Sequence, residues 1–144
     1  MQGGVALSHP GSAVRILALD YGSARCGCAV SDPDGIVVTP IEPVLRAGTK
    51  AGIGQIAAIV REREIGTVVV GLPLSLSGRE TGQTAETREF IARLGKRLGD
   101  EVPVEIYDER LTTQLAARDV SRRASEDSRA AAHLLEGWLA LHSE

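Results

Sequence analysis

Apolar residues in this chain fall into short runs separated by turn-forming clusters, and their spacing switches between strand-like and helical periods. Residues 14–19 (VRILAL) form an apolar, β-branched run that reads as a buried strand. Gly22 and Ser23 supply a turn, and residues 26–30 (CGCAV) a second strand. Ser31, Asp32, Pro33, Asp34 and Gly35 then make a hairpin turn into a third strand that starts at 36–39. Ile53, Ile56, Ala57 and Val60 recur at helical spacing, so an amphipathic helix is predicted over roughly 49–64, with Gly66 ending it. Residues 67–70 (TVVV), bounded by glycines, form the clearest strand, and residues 72–82 form a loop. Thr87, Phe90, Ile91, Leu94 and Leu98 mark a second helix. A fifth strand follows at 102–107, a short helix at 113–120 and a closing helix at about 126–142.

A β-hairpin start followed by alternating helices and strands implies an α/β fold, a five-stranded mixed sheet with helices on its faces. The Gly, Ser and Pro-rich residues 1–13 have no periodicity and are expected to form a flexible arm. Residues 14–142 then make a single domain, in keeping with a length of 144 residues. The amino terminus has neither a basic start nor a signal-like apolar run, and no run is long enough to span a membrane, so a cytoplasmic protein without a membrane partner is expected. Cys26 and Cys28 are too few for a secreted disulfide scaffold or a four-ligand zinc site. Sixteen Lys and Arg against nineteen Asp and Glu give a net charge of −3, which argues against a histone-like or ribosomal-protein role. It leaves room for a nucleic-acid enzyme with a local basic patch.

Binding sites in open α/β sheets lie beyond the carboxyl ends of the strands. Two of those ends are acidic here: Asp20 closes the first strand, and Asp108 and Glu109 close the fifth. A third acid, Asp127, opens the last helix on the stripe of Ala131, Leu134, Leu135 and Trp138, the face that packs on the sheet. Carboxylates converging from separate elements suit Mg²⁺ or Mn²⁺, and two such ions can clamp both oxygens of a phosphodiester displacement. An acid at a strand end or helix start is equally a turn former or cap, and placement alone leaves both readings open.

The segments LALDYGSARCGCAVSDPDG, TPIEPV, VVVGLPLSLSGRETGQTAETREFIARL, VEIYDERLTT and DSRAAAHLLEGWL stand in this order between Arg15 and Leu139. Together they resemble the YqgF/RuvX family, the pre-16S ribosomal RNA nucleases related to the RuvC Holliday-junction resolvases. The resemblance implies a ribonuclease H-like fold, with helices on both faces of the sheet, and divalent-metal-dependent phosphodiester cleavage, with two Mg²⁺ or Mn²⁺ ions expected. It carries catalytic acidity onto Asp20, Asp108, Glu109 and Asp127. Asp20 and Asp127 then bind metal directly, joined by Glu109, whose longer side chain reaches further than that of Asp108. Asp108 is left to support the site or bind outer-sphere water. Arg25, Arg79 and Arg110, beside these motifs, are candidate phosphate contacts or internal ion-pair partners. Arg122 and Arg123 are candidates to replace part of the charge of a basic loop that is longer in the family. Two further departures are Ser75, where the family often has Asn, and Cys26 and Cys28, which stand for aliphatic residues and read as small buried hydrophobes.

The implied substrate is RNA, the precursor of small-subunit ribosomal RNA, with the ribosome as a further candidate partner, and the expected state is a monomer or homodimer. Three alternatives stand beside it: a junction resolvase acting on structured DNA, a non-catalytic ribosome-assembly factor, and an actin-like nucleotide binder. The last would need a second domain to enclose its nucleotide. His9, His133 and His142 have no motif around them, which argues against a histidine-based nuclease.

Overall fold

The computed structural model describes residues 14–74, 77–108 and 126–142, with Glu126 and Asp127 described by their backbone alone. The expected arm at 1–13, the short helix at 113–120, and Ser75, Glu109, Arg110, Arg122 and Arg123 lie outside the described residues.

Five strands form one sheet: β1 (Arg15–Asp20), β2 (Arg25–Ser31), β3 (Val38–Leu45), β4 (Ile65–Leu72) and β5 (Val104–Asp108), in the spatial order β3-β2-β1-β4-β5. β1, β4 and β5 run parallel and β1–β2–β3 is an antiparallel meander. The sheet is therefore mixed, as its sequence pattern predicts. β3 reaches Leu45, well beyond the start visible in the sequence, although it carries Pro40 and Pro43. It can do so because it is an edge strand, where a missing N–H removes no central ladder bond.

Helices α1 (Lys50–Glu62) and α2 (Gly82–Leu98) cover one face, and α3 (Glu126–His142) lies across β1, β2 and β3 on the other. α1 starts where the Thr49 hydroxyl accepts from the Gly52 N–H at 3.0 Å. It buries Ile53, Ile56, Ala57 and Val60, the expected stripe. Its end differs from the expectation: Glu64, not a glycine, takes the left-handed backbone (φ 57°), and Gly66 already belongs to β4. There a Cβ would come within 2.3 Å of the Val14 side chain, so the glycine answers close packing rather than helix termination. α2 begins earlier than its apolar stripe, because Thr81 and Thr84 form a reciprocal capping box. Thr84 also donates to the carbonyl of Pro73, tying the loop after β4 to the first turn of α2.

The two faces bury different residues. Against α1 and α2 lie Leu17, Leu19, Val44, Val68 and Val70, together with both cysteines, which form no disulfide. Against α3 lie Ile16, Ala18, Ala29, Val69 and Tyr107, with Ala131, Leu134, Leu135 and Trp138 from the helix. No helix among the described residues is long and apolar enough to cross a membrane.

Candidate active site

Strand alternation assigns a face to each acid at the end of the sheet. Ile16 and Ala18 face α3, so Asp20, two residues on, stands on that face at the carboxyl end of the central strand, half-buried. Its partner on β2 is Gly27. On β4, Leu19 pairs with Val70, so the next position is Gly71. Glycines flank Asp20 on both neighbouring strands, so neither strand sets a β-carbon beside it on the α3 face. Arg25, exposed at the head of β2, lies two positions before Gly27 and so on the same face and at the same end as Asp20.

Asp108 differs. Its neighbour Tyr107 packs against α3, and Asp108 pairs with Leu72, so alternation puts Asp108 on the α1–α2 face. Burial pushes the Tyr107 phenol above its ordinary pKa, and the charge of Asp108 adds to the rise. Arg79 is exposed in the loop before α2, one residue after Gly78, whose φ is 87°.

The amino end of α3 is held by a residue that sequence reasoning missed. Between β2 and β3 the register slips: Cys26 pairs with Val44 but Cys28 with Ile41, so one residue of β2 faces two of β3. The slip frees the N–H of Cys28 and the carbonyl of Ile41 from the ladder. The fully buried Ser128 hydroxyl serves both, accepting from Cys28 N–H at 3.5 Å and donating to Ile41 O at 2.6 Å. Ser128 thereby pins the first turn of α3, one residue after Asp127, onto the sheet. A signal was present, because Ser128 lies four and seven residues before Ala132 and Leu135 on the buried stripe.

Among the described residues no three His, Cys, Asp or Glu side chains stand close enough together to hold a metal ion. Glu109 and the side chain of Asp127 are outside that set. A carboxylate oxygen such as that of Asp20 is the donor type that Mg²⁺ and Mn²⁺ take, and it is one ligand of the several such an ion needs. His142 does not enter: it stacks on Trp138 with ring centroids 3.9 Å apart, at the far end of α3. At about 1.5 Å rise per residue that is roughly 22 Å of helix away from Asp127.

Residues 14–141 match the family described as RuvX: Holliday junction resolvase. The chain belongs to the YqgF/RuvX family. Among its relatives, one from Rhodococcus opacus (strain B4) is 44% identical over 145 residues, spanning 92% of this chain and 80% of the relative. Another from Maridesulfovibrio salexigens is 36% identical over 136 residues, spanning 88% and 98%. Both carry the name "Putative pre-16S rRNA nuclease". The structure of T. thermophilus RuvC in complex with a Holliday junction substrate superposes with a TM-score of 0.59 at 15% identity, covering 90% of this chain and 96% of that one. That likeness establishes a ribonuclease H-like fold for this RuvX-family chain.

Proposed function

We propose that this protein is a divalent-metal-dependent nuclease that hydrolyses phosphodiester bonds of RNA, with the precursor of 16S ribosomal RNA as its substrate. The nuclease class follows from the family, whose relatives carry that name. The observation that carries the site is Asp20, flanked by Gly27 and Gly71 on the neighbouring strands, on the face where Ser128 pins the start of α3.

In this reading Asp20, Asp127 and Glu109 hold the metal. Alternation supports the division between the tandem acids, since it turns Asp108 away from the face of Asp20 and leaves the ligand role to Glu109. When bound, Mg²⁺ or Mn²⁺ polarises the phosphoryl oxygen and makes water a stronger nucleophile. The chain's own task is to hold carboxylates in place before the substrate arrives. Ser128 does this for the head of α3, and Gly27 and Gly71 set no β-carbon beside Asp20. Arg25, on the same face, orients the backbone through its guanidinium.

The test is Asp20→Asn, which keeps the size of the side chain and removes its charge. RNA cleavage is expected to fall by at least about 10²-fold, the scale on which loss of one group stabilising transition-state charge registers. The melting temperature stays unchanged, and a chelator abolishes wild-type cleavage until Mg²⁺ or Mn²⁺ is restored. Full cleavage in chelator, or by Asp20→Asn, overturns the reading. The RuvC-like fold favours one second reading, cleavage of four-way DNA junctions. Parallel assays on a ribosomal RNA precursor and a junction of equal length separate the two.

A further inference from the structure

On the opposite side of the sheet's end from the Asp20 side chain lies an open cavity of about 470 Å³, within the range of roughly 300–1,000 Å³ usual for small-ligand sites. Its floor is Tyr21, the residue after Asp20, stacked on Phe90 with ring centroids 4.4 Å apart. One wall is the turn from β3 into α1, with Arg46 and Thr49, and Ser23 stands beside it. The other wall is α2, which contributes Glu86 and Glu89. Arg93 donates to the Gly48 carbonyl and braces the two walls against each other.

Arg46 is held in an unusual conformation. Its φ of 49° lies in the left-handed region, which non-glycine residues adopt at a cost. The surroundings enforce it. Its N–H donates to Ala24 O at 3.0 Å, and its carbonyl accepts from the Thr49 N–H at 3.0 Å and the Thr49 hydroxyl at 2.8 Å. Gly52 completes the turn, since a Cβ there would lie 2.3 Å from the Arg46 carbonyl oxygen. An exposed arginine presented by an enforced turn, at the mouth of a cavity one residue from a catalytic acid, has no packing role that accounts for it.

We propose that this cavity receives one nucleotide of the substrate strand flanking the bond cut at Asp20, with its phosphate at Arg46 and its base edge at Glu86 and Glu89. The polarity of the walls matches a nucleotide, which is anionic at one end and carries N–H donors at the other. Arginine binds phosphate through paired donors, whereas a carboxylate accepts from an exocyclic amino group. Cytosine offers that amino donor and uracil has a carbonyl in its place, so an amino-bearing base is preferred. The strand would cross the rim of the sheet, from the α3 face at Asp20 to the α1–α2 face at Tyr21. The inference rests on the nuclease reading but is tested by binding alone.

The experiment is fluorescence anisotropy with labelled single-stranded RNA hexamers, C6 and U6, on the full chain in chelator. The wild type is expected to bind C6 at least about fivefold more tightly than U6, the lower end of discrimination by one good base contact. Replacing Glu86 and Glu89 together by Ala brings the ratio close to one. Arg46→Ala weakens both hexamers by a similar factor and lowers the salt slope by about one. Free cytidine monophosphate competes only at far higher concentration than C6. Equal binding of C6 and U6 by the wild type, an Arg46→Ala variant that binds like it, or a monophosphate as tight as C6 each overturns the proposal. Failure of the nuclease reading appears elsewhere, as cleavage surviving in Asp20→Asn, a variant that keeps the C6 preference in chelator.

Discussion

The two faces of the sheet use their buried residues for different ends. Toward α1 and α2 the sheet presents Leu17, Leu19, Val44, Val68 and Val70, and the helices return Ile53, Ile56, Phe90 and Leu94. Toward α3 it presents Ala18 and Ala29 beside Ile16 and Val69, and the helix answers with Ala131 and Ala132 ahead of its larger residues. Large aliphatic side chains remove more apolar area from water, about 25 cal/mol per Å². Alanines remove less but let a helix come close to a sheet. The first face is therefore the main source of stability, and the second sets the position of one helix end relative to Asp20. Stability and site geometry are separable in this fold because they sit on opposite sides of one sheet.

The largest stability effect expected is on the first face. Ile56, fully buried on α1, packs in the core on the face of the sheet opposite Asp20. Ile56→Ala deletes buried methylenes and leaves a cavity, which costs about 2–5 kcal/mol in comparable cores. Urea unfolding should register that loss, while turnover per folded molecule stays at the wild-type value. If turnover falls in step with stability, the two faces are not separable.

Ser128→Ala reverses the pattern. It strands the Cys28 N–H and the Ile41 carbonyl inside the bulge, at about 1–3 kcal/mol for an unsatisfied buried group. With two groups stranded, the stability loss is comparable with that in Ile56→Ala, yet turnover should fall further, because the start of α3 is released from the sheet. Ser128→Thr keeps the hydroxyl and should recover part of the turnover. A turnover loss no greater than in Ile56→Ala would mean that Ser128 serves folding alone.

Much of this was legible in the chain. The short apolar runs at 14–19, 26–30 and 67–70 are strands, and the stripes of Ile53, Ile56, Ala57 and Val60 and of Ala131, Leu134, Leu135 and Trp138 are buried. These signals are local, and burial follows them directly. What stayed hidden depends on pairing. The continuation of β3 through Pro40 and Pro43 requires knowing that it is an edge strand, which only the sheet order reveals. The role of Ser128 requires the register slip opposite Gly27, made by two strands together. Glu64 in a left-handed conformation was hidden behind Gly66, the residue that propensity favours for that position. For the acids, the strand ends at Asp20 and Asp108 were readable, but their assignment to opposite faces came from the partners of Tyr107 and Leu72. Glu109, Asp127 and the arginines at 110, 122 and 123 stand as expectations for the experiments above.

The smallest effect expected lies in a turn that belongs to neither face, and it gives the scale for the other two. Asp32, in the β2–β3 hairpin, accepts from the Ile36 N–H at 2.7 Å and the Val37 N–H at 2.9 Å through one carboxylate oxygen. Backbone hydrogen bonding, that of Val37 foremost, holds its carboxyl below the usual carboxylate range. A depressed folded-state pKa means that the ionised group favours the folded chain above the unfolded value of about 3.9. That contribution fades as pH falls through the lower folded value and is absent once both states are protonated. Asp32→Asn keeps an acceptor oxygen in the same place and removes the titration. The wild type should therefore be slightly more stable than the variant at pH 7, with the difference shrinking below about pH 3.9. Turnover at pH 7 should be equal in the two, since the hairpin lies at the opposite end of the strands from Asp20. Thermal melts from pH 7 to pH 2.5 would show this, and a difference that stays constant across the range would assign the turn's stability to its shape rather than to its charge.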